Sequence, residues 1–575
     1  MRWLLRPWFP IANHGSLRHP ARMRPSDFRG DWREDPDACA VYAESASIHR
    51  VTPRAVAIPL DAADVQVLAR WATSSVTPIV ARGSGSSMSG ACLSESVVVD
   101  LSSLRGEPVI DPERRTARSS PGVTRGALER GARAQGLRFP VDPSSGAFCT
   151  IGGMIATNAS GARTLKFGAT RAWVTGLDCV FSDGSRAWVR RGLPIDLQVP
   201  MLATFAARSA SMQQRARDVL MPDVRKNSSG YGIAEFGESG ELIDLLAGSE
   251  GTLAIFVGVE VALCDVAKAT ASLLVSWTTL EGAVHGAALA CEAGASACEL
   301  LDRTFLRIAA AEKGLALPVD EQAEAALLIE LEYTPHPSHA GALSNQEDEA
   351  LLLARASSLE GALLAAGASK VIVGLEPESE EALWALRHAA SPILARLDPS
   401  IVSMQVIEDG VVPPVRLSEY VHGVRNALDR EGFRGVIFGH AGDGNVHVNV
   451  LVDVRQDGWA KRLRRLFLDV TELTARLGGT PSGEHGDGRL RTPVLSRFWP
   501  PAAMELFAEI KSTFDPLEVL NPGVKVGRSG AHSWNAIKYD RALPPAAPRV
   551  VRVLERVSRE RAYDRSRLEM LAESV

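Results

Sequence analysis

The sequence predicts an α+β protein built from more than one domain. Three observations carry that prediction. The chain has 575 residues, more than a single hydrophobic core accommodates. Residues 51–105 read as strand, helix, strand. From about residue 270 onward, short strand candidates alternate with helices in a rhythm suited to an antiparallel sheet.

In the opening unit, 62–73 sets Val65, Leu68, Ala69 and Ala72 on one helical face, and 97–101 is a buried-strand run. Residues 126–135 are helical, and 253–263 form another apolar strand. Residues 174–189 hold a hairpin whose Asp183-Gly184 turn is of the kind a type I′ turn favours. In the second unit, strand candidates are 271–277, 325–332, 370–373, 402–407, 436–439 and 446–452. Helices near 281–293, 349–366, 415–430 and 459–477 lie between them. The last of these carries Leu463, Leu466, Phe467, Val470, Leu473 and Leu477 on one stripe, with Gly478 as its cap. A helix at 502–513 leads into Asn521-Pro522-Gly523, and the tail 528–575 ends helical.

Composition narrows the function. A net charge of −5 gives no electrostatic case for nucleic acid. Seven scattered cysteines without a C-x-x-C pair exclude a zinc ribbon or four-cysteine cluster and read as free thiols in a reducing compartment. No run of about 18 apolar residues predicts a membrane span. The first 26 residues carry five arginines, no acid, and Trp3, Trp8 and Phe9. They read either as a loose terminus or as a membrane-surface arm. Their apolar stretch is too short for a signal peptide.

Two glycine-rich stretches carry the candidate chemistry. GHAGDGNVH (439–447) and SGEHGDG (482–488) bring three histidines and a glutamate into short loops. Neutral imidazole and carboxylate are what a divalent metal takes from a protein. His440 and His447 flank a hairpin loop that brings them together, and His447 and Asn449 share one strand face. Glu484 and His485 are adjacent, so one is expected to ligate while the other faces a substrate. Arg387 is a candidate for binding a carboxylate, with a surface helix arginine as the alternative. Three further loops, 82–90, 142–161 and 248–253, are rich in small residues and adjoin apolar strands. The first suits an anion nest but is neither a Rossmann fingerprint nor a Walker loop. Together the three suggest one extended ligand touched from several sides.

These motifs, with Lys166-Phe167-Gly168 and Asn521-Pro522-Gly523-Val524-Lys525, resemble the FAD-linked oxidoreductases of the vanillyl-alcohol oxidase type. Within them, the chain is similar to the D-lactate dehydrogenase, glycolate oxidase subunit and D-2-hydroxyglutarate dehydrogenase branch, over residues 45–527. The resemblance implies a two-subdomain PCMH-type FAD-binding domain at 51–265 with a return at 500–527. It implies an α+β, ferredoxin-like cap at 266–499, an N-terminal extension at 1–50 and a tail at 528–575. It implies that Arg82, Gly83, Ser84, Gly85, Ser86, Ser87, Ser89 and Gly90 cradle the FAD pyrophosphate. Pro140, Asp142, Thr150, Gly152, Gly153, Asn158, Gly161, Glu250, Gly251, Thr252 and Asn521 would line the rest of the cofactor site. His440, His447 and Glu484 match metal-holding positions, for zinc, manganese or iron. His485, Asn449, Arg387 and Ser391 match positions beside the substrate.

The implied reaction is oxidation of a D-2-hydroxy acid to the 2-oxo acid. His485 would be the base and Arg387 the carboxylate partner, and a quinone, cytochrome or flavoprotein would take the electrons. The first loop has no histidine, so non-covalent FAD is expected. Gln405-Val406-Ile407-Glu408-Asp409 lacks the lysine some relatives place there, which leaves the substrate open. The cysteines of a C-terminal iron–sulfur domain are absent. Alternatives at this stage are a flavin enzyme for another alcohol, a flavin-free metal hydrolase, and a non-catalytic flavin-binding subunit of a larger complex. The expected location is cytoplasmic, with peripheral contact at the inner face of a membrane, and a homodimer, left open.

Overall fold

Three larger β-sheets, and a two-stranded one pairing Leu137–Arg138 with Cys264–Asp265, organise the computed structural model, which describes residues 24–310, 318–333, 345–388, 400–527, 534 and 536–574. Ser391 and the arginine-rich arm up to residue 23 lie outside the described residues. The first sheet orders Asp31–Arg33, Ala55–Ile58, Val97–Asp100 and Ile79–Arg82, the last three parallel. Helix Ala62–Ser75 packs Val65, Leu68, Ala69 and Ala72 onto it. Asp61 caps that helix at its start, accepting from the Ala63 and Asp64 N–H groups. The Val97–Asp100 run is buried throughout because its parallel neighbours lie on both sides.

The second sheet is antiparallel, ordered Val109–Asp111, Thr116–Ser119, Ile255–Ala262, Val174–Val180 and Arg186–Arg190. Helices Pro200–Asp218 and Pro501–Phe514 share its core, through residues such as Leu202, Phe205, Phe507 and Phe514. The hairpin at 174–190 forms, but its turn differs from the expectation. Only Gly184 has a left-handed backbone, and its N–H reaches the Phe181 carbonyl at 2.9 Å. Ser182 and Asp183 therefore form the centre of the turn and Gly184 follows it, which is the longer-loop solution to the same strand twist.

The third sheet has eight strands. Lys370–Gly374, Ala269–Trp277, Ala325–Tyr333 and Ala297–Asp302 lie side by side in that order. With helices Leu280–Glu292 and Asn345–Ala365 this is a βαββαβ, ferredoxin-like unit. A second set, Arg434–His440, Asn445–Asp453 and Ile401–Met404, joins it edge to edge through Ala297–Asp302. Strand alternation gives the sheet two faces. Leu273, Val275, Leu300, Leu327, Ile437, Val448 and Val450 belong to the core on one side. Leu274, Leu301, Leu328, Val436, Phe438 and Leu451 belong to the other, with Leu383 and Leu386 of helix Pro377–His388. Strand Ala297–Asp302 had no counterpart in the sequence reading, because Glu299 and Asp302 interrupt its apolar pattern.

Candidate active site

The second face of the cap sheet ends in polar residues. Glu299 pairs with His440 across neighbouring strands, and Phe438 pairs with His447. His440 Nε2 lies 3.2 Å from His447 Nε2. Glu484 Oε1 lies 3.4 Å from His440 Nε2 and 3.2 Å from His447 Nε2. Four-coordinate ligands about 2.0–2.1 Å from one ion stand roughly 3.3 Å from each other, so this triangle fits a metal. The outer ring nitrogens are committed elsewhere. His440 Nδ1 bonds Glu299 Oε1 at 2.5 Å, and His447 Nδ1 bonds the Glu408 carbonyl at 2.6 Å. Each bond selects the tautomer that turns Nε2 inward. The far oxygen of Glu484 is also held: Lys226 Nζ is 2.8 Å away and the Ser160 hydroxyl donates at 3.0 Å.

Loop 482–488 is held from below by Asp409. Its Oδ2 accepts from the Ser482 hydroxyl at 2.7 Å, the Glu484 N–H at 3.1 Å and the His485 N–H at 2.8 Å. Glu408 faces the other way, accepting from His485 Nδ1 at 2.6 Å and pairing with Arg491. His485 therefore presents Nε2, 3.5 Å from Glu484 Oε1. Burial would lower the His485 pKa, but Glu408 and Asp409 outweigh it and raise the pKa to about 9. His440 is raised to about 9 in the same way, with Glu299 outweighing burial. A second acidic group, Glu408, Asp409, His447 and His485, also converges. Its carboxylates are already satisfied by Arg491 and by backbone N–H groups, so the first triangle is the better metal site.

Arg387 reaches this centre indirectly. Its Nε donates to Glu299 Oε2 at 2.7 Å, and its guanidinium lies 4.6 Å from the Phe438 ring centroid. One carboxylate thus joins Arg387 to His440. Asn449 is buried on the histidine face and accepts from Ser403 at 3.1 Å and Gln405 at 3.4 Å.

Beside this centre runs a cleft. Arg82, Gly83, Ser84, Gly85, Ser86, Ser87, Thr150, Gly152, Gly153, Glu250 and Gly251 line it, and Glu484 and His485 close one side. The backbone N–H groups of residues 84–87 have no protein acceptor among the described residues. A Cβ on Gly83 would stand 2.3 Å from Thr150 Oγ1. Free N–H groups and a backbone with no room for a side chain are what a phosphate-bearing cofactor requires. Replacing Gly83 by valine is expected to yield folded protein without bound flavin, checked by the visible spectrum after purification.

Other residues expected at the cofactor brace the cleft without lining it. Asn521 Nδ2 donates to the Ala91 and Glu250 carbonyls. Asn158 Oδ1 accepts from the Arg171 N–H, and Thr252 bonds Tyr231. Pro140 and Asp142 border a different cavity, where Asp142 pairs with Arg163 at 2.5 Å. Gly161 packs against Asp142 so closely that a Cβ would meet its carbonyl at 2.3 Å. Ser89 bonds the His485 carbonyl, and Gly90 packs on His49 and Ser47. Arg82 and Glu250 border the cleft, but their charges face elsewhere. Arg82 donates to the Tyr42 and Glu44 carbonyls. Glu250 accepts from the Asp487 and Gly488 N–H groups and pairs with Lys525 at 2.9 Å.

Sequence reasoning missed Glu299, Glu408, Asp409, Lys226, Ser160 and Arg491. The available signal was charge inside apolar context. An acid within Ala297–Asp302, or two after 402–407, must be paired if the strand is buried.

A family model described as FAD binding domain matches residues 53–190, and one described as FAD linked oxidases, C-terminal domain, matches 266–524. The chain is 29% identical over 488 residues to the glycolate oxidase subunit GlcD of Bacillus subtilis, covering 84% of this chain and 91% of that protein. It is 29% identical over 483 residues to the D-lactate dehydrogenase of Archaeoglobus fulgidus, covering 82% and 92%. The D-2-hydroxyglutarate dehydrogenase of Escherichia coli is 29% identical over 539 residues, which is 87% of this chain and 51% of that longer protein. Among solved structures, 4-ethylphenol oxidase from Gulosibacter chungangensis shares the fold. Its TM-score is 0.62 at 16% identity, over 86% of this chain and 94% of that one. No helix among the described residues is long and apolar enough to cross a membrane. One model matches the part that carries two of the small-residue loops and the other matches the sheet that carries the histidines, so the chain joins an FAD-binding domain to the C-terminal domain of the FAD-linked oxidases.

Proposed function

We propose that this protein oxidises a D-2-hydroxy acid to the 2-oxo acid, using non-covalent FAD and a divalent zinc, manganese or iron ion. The observation that carries the reading is the His440, His447 and Glu484 triangle standing at the wall of the flavin cleft. The names of the relatives, which include D-lactate and D-2-hydroxyglutarate dehydrogenases, support the substrate class.

When bound, FAD supplies a hydride acceptor, and the metal ion supplies Lewis acidity toward the substrate hydroxyl. The chain's own residues do the rest. Glu299 and the Glu408 carbonyl hold the two ligand histidines with Nε2 inward. Lys226 and Ser160 fix one oxygen of Glu484, which turns the other toward the histidines. Glu408 and Asp409 position His485, whose Nε2 takes the hydroxyl proton. To act as a base His485 must be neutral, and a cation beside Glu484 opposes the raised pKa set by Glu408 and Asp409. Arg387, held through Nε by Glu299, meets the substrate carboxylate with its remaining edge. A quinone, a cytochrome or a second flavoprotein then receives the electrons.

Two measurements test this reading. Anaerobic mixing with a panel of D- and L-2-hydroxy acids is expected to bleach the flavin with D-acids; bleaching only by simple alcohols or sugars would refute it. Replacing Glu299 by glutamine is expected to weaken metal affinity by about 10–100-fold, the usual cost of losing a ligand's hydrogen-bond partner. His440→Ala, His447→Ala and Glu484→Ala are expected to lose the metal while keeping FAD. Elemental analysis of each purified variant reads both outcomes, and active wild-type protein without metal would sink the metal assignment.

A further inference from the structure

Residues 534–574 lie beyond the end of both family matches. They pack closely on the rest of the chain. Trp534 packs on Phe467 of helix Trp459–Arg476, with ring centroids 5.5 Å apart. The chain then runs beside residues 48–50, where the Arg50 N–H bonds the Ala536 carbonyl and the Lys538 N–H bonds that of Ile48. Helices Pro548–Arg559 and Arg567–Glu573 bury Val550, Val553, Val557 and Met570 against Val41, Tyr42, Val56 and Val98.

Between and at the start of these last helices, the tail touches two of the loops that wall the flavin cleft. Arg567 Nη2 donates to the Ser84 carbonyl at 3.1 Å. Arg561 Nη2 donates to the Ser144 carbonyl at 3.2 Å. Tyr563 stacks on Phe148 with centroids 5.1 Å apart. Ser84 and Ser144 both line the cleft, on separate loops.

The charges behind the first loop are only partly compensated: Asp100, buried opposite Arg82 in the first sheet, is a carboxylate that also acts on Arg567. Arg82 and Arg567 are 2% and 4% exposed. Their hydrogen bonds go to carbonyls: Tyr42 and Glu44 for Arg82, Ser84 and Ala562 for Arg567. Neither forms an ion pair with a carboxylate among the described residues. Burial and the neighbouring Arg82 lower the Arg567 pKa to about 10. Two buried guanidinium groups that share Asp100 leave an excess of positive charge, which is costly to bury, so an anion is expected in front of this loop. The peptide geometry says how the charge reaches it. The Ser84 carbonyl and the Gly85 N–H sit on opposite edges of one planar trans peptide. A guanidinium on the carbonyl polarises that peptide and leaves the N–H directed away from the tail. The Gly85 N–H has no protein acceptor among the described residues.

We propose that the C-terminal tail is part of the FAD-binding machinery. Arg567, backed by Arg82, strengthens the first loop's hold on the cofactor's diphosphate through the Ser84–Gly85 peptide, while Arg561 and Tyr563, on which Arg567 packs, anchor the tail on the loop at Ser144 and Phe148. The proposal rests on FAD binding and adds a positioning role for residues outside the shared domains.

Full-length wild type, Arg567→Lys, Arg567→Gln and Arg561→Gln, purified as holoproteins, test it through the rate of FAD release followed by flavin fluorescence. Arg567→Gln is expected to release FAD about tenfold faster or more, the scale of a lost charge-assisted bond. Arg567→Lys keeps the charge and is expected to stay within about threefold of wild type. Raising the salt concentration should speed release from wild type more than from Arg567→Gln. Wild-type release from Arg567→Gln would overturn the proposal. So would equal loss in the lysine and glutamine variants, which would mean packing alone. Arg561 is exposed, so Arg561→Gln decides the matter if Arg567→Gln does not fold: faster release supports the anchor, and unchanged release overturns it. Wild type lacking FAD altogether would be a different failure, that of the cofactor assignment.

Discussion

His485→Ala is expected to slow flavin reduction by a 2-hydroxy acid by about 10²–10⁴-fold while leaving FAD and metal in place. The magnitude is that of removing a positioned general base. The ring is oriented through Nδ1 by Glu408, so Nε2 is the nitrogen that faces the centre. The backbone N–H of residue 485, held by Asp409, survives the substitution, so the loop is expected to keep its course. Stopped-flow reduction under anaerobic conditions measures the effect, with metal and flavin content checked on the same sample. Reduction at the wild-type rate would mean that another group takes the proton.

Lys525→Met is expected to destabilise the protein by about 3–5 kcal/mol, the usual cost of breaking a buried ion cluster. Lys525 is fully buried and lies 2.9 Å from Glu250 Oε1 and 3.0 Å from Asp487 Oδ2. Glu250 in turn accepts from the Asp487 and Gly488 N–H groups, so the cluster fastens loop 482–488 to the flavin-binding side. Gly488 shows how close the approach is: it has a left-handed backbone, and a Cβ would fall 2.2 Å from the Ser89 carbonyl. Removing the ammonium leaves two buried carboxylates facing each other. Denaturant unfolding of the holoprotein reads the loss. A variant as stable as wild type would show that the two acids share a proton without it.

Much of this molecule is legible from local pattern. Strands such as 446–452 and helices such as 459–477 are long, periodic and bounded by glycine, and the structure forms them as Asn445–Asp453 and Trp459–Arg476. The two histidines were legible for the same reason, since a hairpin must bring its ends together. Glu299 was not. Its importance depends on strand Ala297–Asp302 lying beside Arg434–His440, a pairing between residues more than 130 positions apart. Glu408 and Asp409 were visible only as a stretch without lysine, because their partners at 485 and 491 are distant in the chain. The turn at Gly184 shows the smaller version of this limit: Asp-Gly signals a turn, while the flanking loop length selects its type.

In the proposed reaction, substrate oxidation depends on the metal triangle beside the flavin cleft. The most direct test of this dependence is anaerobic flavin reduction by a D-2-hydroxy acid before chelation, after chelation, and after zinc, manganese or iron is restored. Chelated protein is expected to keep its FAD, lose most of its reduction rate and regain it with one of these ions. Metal-free protein that reduces its flavin at the original rate would contradict that dependence.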